Sequence, residues 1–299
     1  MGIAQYIKEI GRGANGSRSL TVEQAFELMA SVLDGTASDL EVGAFVLAMR
    51  MKGETLDELV GFLQAAQARM LQIPCDAPVV VIPSYNGARR LPNLTPLLAM
   101  LLAQEGARVL VHGQRRDASR VTSAEIFHSL GLPAVQSADD VLGLWARHEP
   151  AFVSTDVLCP SLQRLLDVRW TVGVRNSGHT IAKMLDPCSG APRLRLVNYT
   201  HPEFGALMAA WAQREQASAM ILRGTEGECV ADPRRQPRID TWVGGQIQPE
   251  WSVAALDGAV TEMPLLPREN DAATTALYIQ SVLSGEKPAP APVSCQVQL

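Results

Sequence analysis

Arginines stand close behind two short polar loops of this chain. The first loop, Pro83-Ser84-Tyr85-Asn86-Gly87, closes a run of β-branched residues and is followed by Arg89 and Arg90. The second, His112-Gly113-Gln114-Arg115-Arg116, closes another such run and is followed by Ser119 and Arg120. Guanidinium forks match the oxygens of a phosphate, and an aromatic face can stack a base. These residue types at this spacing suit a phosphate-rich ligand. If both loops open at the carboxyl ends of neighbouring strands, five guanidinium groups and the ring of Tyr85 line one cleft. Lys8, Arg12 and Arg18 form a second basic group around Gly11-Arg12-Gly13-Ala14-Asn15-Gly16, a stretch able to follow a backbone that completes no phosphate-loop motif. A third comprises Arg169, Arg175 and Lys183, with Asn176 and His179 between them. No His or Cys pair stands at metal-ligand spacing, so no metal site is expected.

The elements that must position these residues fall into two predicted domains. Residues 1–74 show apolar residues recurring at three and four, as in Ala25-Phe26, Leu28-Met29 and Val32-Leu33, which predicts an all-helical unit of about four helices. Thr21 with Gln24 reads as a capping box, Asp34-Gly35 ends that helix, and a further helix is predicted over 55–70. Residues 75–299 change character. Val79-Val80-Val81-Ile82 has the continuous β-branched run of a parallel strand covered on both faces. A helix over 95–105, ended by Gly106, leads to a second strand at Arg108-Val109-Leu110-Val111, with a right-handed crossover. Later strands at 194–197 and 218–222, with a helix over 206–213 between them, complete an α/β domain with a mostly parallel central sheet. The tail over 284–299, rich in Pro and Ala, is left without an element.

Bulk composition narrows the function classes. With 47% hydrophobic residues over 299 positions the chain can bury a sizeable core. A formal charge of −5 excludes a protein coated in positive potential, so any polyanion must be held by local Arg and Lys clusters. Five scattered cysteines, with no Cys-x-x-Cys pair, read as reduced thiols of a cytoplasmic protein. No secretory signal and no membrane span are expected.

The layout Asn93-Leu94-Thr95-Pro96 at a helix start, His112-Gly113-Gln114-Arg115 after a strand, and Glu125-Ile126-Phe127-His128-Ser129-Leu130-Gly131 at a helix end resembles the phosphoribosyl-diphosphate core of the anthranilate phosphoribosyltransferase family. Leu47-Ala48-Met49-Arg50-Met51-Lys52-Gly53-Glu54-Thr55 is similar to that family's small helical domain. Gly173-Val174-Arg175-Asn176 and Arg223-Gly224-Thr225-Glu226-Gly227 stand where it has two further motifs. The resemblance implies the family's fold over most of the chain, with dimerisation through the helical domain. It also implies a donor site at Pro83, Ser84, Asn86, Gly87, Asn93, Thr95, His112, Gly113, Gln114, Ser119 and Glu228, and this is where the chain departs. The family's Gly-Thr-Gly-Gly-Asp is Pro83-Ser84-Tyr85-Asn86-Gly87, and proline donates no N–H to an anion. Its lysine before His-Gly-Asn is Val111. Its magnesium-holding Asp-Glu pair aligns with Cys229-Val230, neither of which offers the hard oxygen that magnesium prefers. A shift of one position would return a single carboxylate, Glu228.

Ile82 to Arg89, Gly173 to Thr180 and Gly224 to Glu228 are similar to the YbiB-like branch of the family, and this resemblance implies a non-enzymatic homodimer that binds nucleic acid with little sequence preference. The expectation is thus DNA or RNA binding through Lys8, Arg12, Arg18, Tyr85, Arg89, Arg90, Arg115, Arg116, Arg120, Arg169, Arg175 and Lys183, without catalytic residues or cofactor. The alternative is a glycosyltransferase that moves phosphoribose from phosphoribosyl diphosphate, with magnesium, in tryptophan biosynthesis. Arg169, whose position serves the aromatic-acid site in the enzymes, favours that alternative. Tyr85 either stacks a base or plugs the vacated cleft against Pro83 and Pro92. His112 and His179 are either structural hydrogen-bonders or functional groups. Arg234, Arg235 and Arg238 read as merely exposed. Family members continue past Leu299 into closing helices, so an exposed apolar patch is expected where those would lie.

Overall fold

The computed structural model describes residues 2–13 and 15–299, so that Ala14 of the glycine-rich stretch lies outside the described residues. Four helices come first: α1 (Ala4–Ile10), α2 (Val22–Leu33), α3 (Asp39–Lys52) and α4 (Leu56–Gln67). Then follow β1 (Ile73–Pro74), β2 (Val79–Ser84), α5 (Thr95–Gln104), β3 (Arg108–Gly113), α6 (Ser123–Ser129), α7 (Ala138–Trp145) and β4 (Ala151–Ser154). Helices α8 (Thr155–Leu158), α9 (Pro160–Val172) and α10 (Ser177–Ile181) interrupt the alternation. The chain resumes with β5 (Cys188–Ser189), β6 (Arg193–Tyr199), α11 (Pro202–Arg214), β7 (Ala219–Arg223), β8 (Ile239–Val243) and β9 (Gln246–Ile247), then α12 (Ala272–Leu283) and α13 (Ala291–Gln298).

Two compact units result. One runs up to Leu71 and takes in Thr155–Pro187; the other consists of Gln72–Ser154 and Cys188–Leu299. The contiguous boundary expected at 74/75 is therefore corrected: α8, α9 and α10 belong with the N-terminal helices. Leu71 N–H donates to Leu158 O at 2.7 Å, and Arg164 Nη2 donates to Leu33 O at 2.9 Å. Periodicity marks a helix as amphipathic but does not say which distant partner covers its apolar face. Within this helical unit the starts are capped as the hydroxyl-x-x-acceptor spacing requires, at Thr21 with Gln24, Ser38 with Glu41 and Thr55 with Glu58.

In the larger unit seven strands form one sheet in the order β4-β3-β2-β6-β7-β8-β9, and β1 pairs with β5 separately. From β4 to β7 the pairing is parallel; β8 and β9 are antiparallel. Strand order reverses direction between β2 and β6, so the loops after these two strands open at the sheet's switch point. Ile82, Val109, Val111, Leu196 and Leu222 supply the sheet's share of the core, against Leu97 and Leu98 of α5 and Phe127 of α6. The C-terminal tail, left without an element by the sequence, carries a helix, α13. Helices α12 and α13 bring Tyr278, Ile279, Val282 and Val293 into that core. Gln296 accepts from Ala231 N–H and donates to Cys229 O, both at 2.9 Å. Among the described residues no helix is long and apolar enough to cross a membrane.

Candidate functional site

The loop after β2 is held by a carboxylate from the loop after β7. Glu228, 1% exposed, accepts at Oε1 from the backbone N–H groups of Asn86 and Gly87, each at 2.7 Å. Its Oε2 accepts from Thr95 Oγ1 at 3.1 Å and from Ser84 Oγ. Ser84 Oγ also lies 2.7 Å from Ser123 Oγ, to which Asn93 Nδ2 donates at 3.1 Å. A neighbouring carboxylate does the same one step along, with Glu226 accepting from the N–H groups of Arg89 and Arg90. The two loops approach so closely that a Cβ at Gly227 would lie 1.6 Å from Asn86 Nδ2, and Gly227 takes φ +89°. Ser84, Asn86, Gly87 and Thr95, expected at a donor site, thus converge on Glu228.

The remaining donor-site positions lie in β2 and β3 and in the loop after β3. Gly113 pairs with Ser84 in register, and a Cβ there would lie 1.7 Å from Ser84 O. Pro83 pairs with His112 across the same two strands. His112 is fully buried, with Nδ1 3.0 Å from Tyr85 Oη, and burial depresses its pKa from 6.5 to about 3. It is neutral at any physiological pH. Tyr85 is 4% exposed and packs edge-on against the His112 ring, which corrects the expectation that it offers a face for base stacking: its ring is inside the unit. Gln114 is buried, whereas Ser119 is exposed and bonded to Asp117 at 3.0 Å through its N–H.

The five arginines near these loops do not share one cleft. Arg90 lies at a cleft of about 650 Å³ formed after β2, β6 and β7. Arg115 and Arg116 line a separate pocket of about 260 Å³ floored by Phe127 and Phe152. Arg120 turns back to donate to Gly87 O at 3.1 Å, and Arg89 is exposed beside Arg90. The larger cleft contains what sequence reasoning set aside. Arg223, Arg234, Arg235 and Arg238 join Arg90 there, five guanidinium groups against the carboxylates of Glu226 and Asp232, with Tyr199 alongside. Arg234 and Arg235 lie 3.0 and 3.8 Å from Asp232, and Arg238 lies 2.8 Å from Asp240. The only sequence signal for this gathering was the spacing of Arg234, Arg235 and Arg238 after a predicted strand.

The helical unit holds the other two basic groups. Arg12 and Arg18 share Glu9, at 2.5 and 3.9 Å, and Lys8 is exposed. Arg169 stacks on Trp170, which is 62% exposed, with the guanidinium 4.0 Å from the ring centroid. His179, 8% exposed, has its pKa lowered to about 3, first by burial and then by the positive charges of Arg175, Arg169 and Lys183. These three cations therefore gather around one neutral imidazole.

Magnesium is what this fold's enzymes imply, and the residues here do not fit it. Cys229 and Val230 are buried, and Cys229 Sγ lies 2.8 Å from Asn198 Nδ2 and 3.5 Å from Leu196 O. Glu228, the neighbouring hard donor, is turned onto the loop after β2. Among the described residues no group of three His, Cys, Asp or Glu side chains could hold a metal ion.

Comparison with known proteins places this geometry. The glycosyl transferase family, helical bundle domain, matches residues 4–70. The chain is 37% identical over 300 residues to the uncharacterized protein YbiB of Escherichia coli strain K12, spanning 99% of this chain and 92% of that protein. It is 26% identical over 214 residues to the anthranilate phosphoribosyltransferase of Dehalococcoides mccartyi strain 195, spanning 70% of this chain and 62% of that enzyme. The crystal structure of anthranilate phosphoribosyltransferase from Thermus thermophilus superposes with a TM-score of 0.71 at 22% identity, covering 98% of this chain and 86% of that one. The Saccharomyces cerevisiae enzyme, solved in complex with PRPP and Mg, gives 0.70 at 14% identity over 98% and 85% of the two chains. At these identities the structural likeness speaks to fold.

Proposed function

Since the chain belongs to the anthranilate phosphoribosyltransferase family, in its YbiB-like branch, we propose that it binds DNA or RNA through arginine clusters and does not transfer phosphoribose. The observation that carries this reading is the carboxylate of Glu228 standing on the Asn86 and Gly87 N–H groups. A diphosphate needs those amides, and a like-charged buried group in their place repels it. The loss of hard metal ligands at Cys229 and Val230 acts in the same direction, because the diphosphate leaving group needs its charge neutralised. What supports polyanion binding is the cleft of Arg90, Arg223, Arg234, Arg235 and Arg238 at the sheet's switch point, with Arg89 exposed beside it. Arg115 and Arg116 and the group around His179 extend the basic surface of their own units. Contacts of this kind grip phosphates and carry little sequence information.

Fluorescence anisotropy with a labelled oligonucleotide, titrated at several salt concentrations, tests the reading. Affinity is expected to fall steeply with salt, by roughly 0.7–0.9 of a log unit per log unit of salt for each phosphate neutralised. Replacing Arg90, Arg223, Arg234 and Arg235 by Ala is expected to weaken binding and flatten that slope. Calorimetry with phosphoribosyl diphosphate and magnesium gives the opposing arm: heat at millimolar ligand would overturn the non-enzymatic reading. A homodimer is part of the proposal, and its support is an apolar seam on α3. Leu40, Leu47 and Met51 are 84, 48 and 87% exposed and recur at seven and four, which puts them on one helix face.

A further inference from the structure

We propose that the ring of Tyr199 is a stacking platform for one unpaired base, which makes the arginine cleft a site for single-stranded nucleic acid. It rests on the nucleic-acid binding proposed above and names the strand form and the contact that serve it. Tyr199 ends β6 and pairs in register with Arg223 at the end of β7. Residues paired in this way point to the same side of a sheet, on strands about 4.8 Å apart. Both line the cleft of about 650 Å³, with Arg90, Arg234, Arg235 and Arg238. A ring and a guanidinium thus stand side by side where the parallel strands end. Base–aromatic stacking beside a basic groove is how proteins hold single strands, and it tolerates any sequence because every base has a π-face.

One face of the ring is already fixed. Tyr199 lies over Gly205 of α11: a Cβ at that glycine would be 3.1 Å from Cε1, 3.1 Å from Cζ and 3.3 Å from Cδ1. Three neighbouring ring atoms at nearly equal distance put the glycine against the flat of the ring, since an approach to its edge would leave one atom much nearer than the others. The opposite face is turned away from α11, and Tyr199 is half-buried and lines the cleft. Among the described residues no other ring or guanidinium stacks on it. Tyr85 lacks this freedom, being buried edge-on against His112. Size points the same way. The cleft, at about 650 Å³, has the volume of those that enclose a small organic molecule, roughly 300–1,000 Å³. An unpaired nucleotide enters such a space, whereas a duplex keeps its base faces inside its own stack and offers the mouth only phosphates.

Fluorescence anisotropy tests this with three labelled probes: a single strand, its duplex, and the same single strand with abasic residues in place of its nucleotides, phosphates kept. Tyr199→Ala is expected to weaken binding of the single strand roughly 5- to 150-fold, the loss of one base–aromatic stack, with the salt slope unaltered because no phosphate contact goes. Its affinity for the duplex and for the abasic strand is expected to match that of wild type. Tyr199→Phe, which keeps the ring, is expected to bind the single strand as wild type does. Single-strand affinity unchanged by Tyr199→Ala would overturn the proposal, and so would equal losses on all three probes, which are the mark of a disturbed cleft. Should Tyr199→Ala lose the folded far-UV spectrum, Tyr199→Leu, which keeps apolar bulk on Gly205 without a π-face, is judged by the same outcomes. Failure of nucleic-acid binding itself looks different: wild type then holds none of the probes, and both proposals fall. Salt-sensitive, arginine-dependent binding with a silent Tyr199→Ala leaves the first standing and overturns this one.

Discussion

His112 shows how far one side chain's surroundings can be turned into a measurable quantity. Fully buried, it stays neutral in the folded protein down to about pH 3, while in the unfolded chain it takes up a proton near 6.5. Between those values the unfolded state binds more protons. Stability is therefore constant in this respect above pH 6.5 and falls as pH drops, by about 1.4 kcal/mol per unit. His179 behaves alike, from burial and from the cations around it, so two protons are taken up on unfolding between pH 6 and 4.5. Urea midpoints across that range are expected to decline accordingly, and His112→Gln should remove one proton from the slope; an unchanged slope would show that His112 titrates normally. Glu58 is the second residue whose loss should be felt. It is fully buried and accepts from Lys52 Nζ at 2.7 Å, Thr55 N–H at 2.8 Å and Leu20 N–H at 3.0 Å. Glu58→Ala leaves a largely buried ammonium without its counter-charge and two amides without their acceptor, and equilibrium unfolding should show a loss of about 3–5 kcal/mol. A loss under about 1 kcal/mol would mean that solvent reaches Lys52.

At the scale of elements, the central strands and the first helices were legible because local pattern and burial agree. Val79 to Ile82 lies within β2, and the capping boxes of α2 and α4 form as their spacing requires. What was not legible has physical reasons. Strands β8 and β9 turn at Gly244-Gly245, φ +54° and +77°, a two-residue hairpin signal hidden because Asp240 and Gln246 dilute the apolar run. Helix α13 was missed because Pro290 and Pro292 read as breakers, although proline is tolerated at a helix start. The strand contact most sensitive to substitution is between β2 and β3. Gly113→Ala puts a Cβ against Ser84 O, and backbone on that side can yield only by parting the strands. Such overpacking should cost about 1–3 kcal/mol or more in urea unfolding, and should loosen the loop after β2 together with its Glu228 contacts. A neutral Gly113→Ala would show that the two strands have slack.

For the molecule as a whole, the basic residues were readable as types but not as a surface. Glu228 and Asn86 stand 142 positions apart, and only the return of the chain after β7 puts one on the other. The same return draws Arg234 and Arg235 toward Arg90, while Tyr85, the residue whose chemistry looked most suited to a base, is inside the unit. A spacing argument ranks residues along the chain, whereas sheet order decides which loops become neighbours. Assembly depends on a pattern of the opposite kind, apolar residues left outside. Leu47 and Met51 on α3 are exposed in the single chain, so replacing both by Glu should change folding stability by no more than roughly half a kcal/mol per site. If the α3 seam joins two copies, the same pair of charges faces its symmetry mates across a two-fold contact, where like charges repel. Light scattering on the eluting protein should then give dimer mass for wild type and monomer mass for the double variant, with an unaltered far-UV spectrum. A double variant that keeps the wild-type mass would place the contact elsewhere, or show that a second copy is not what covers this face.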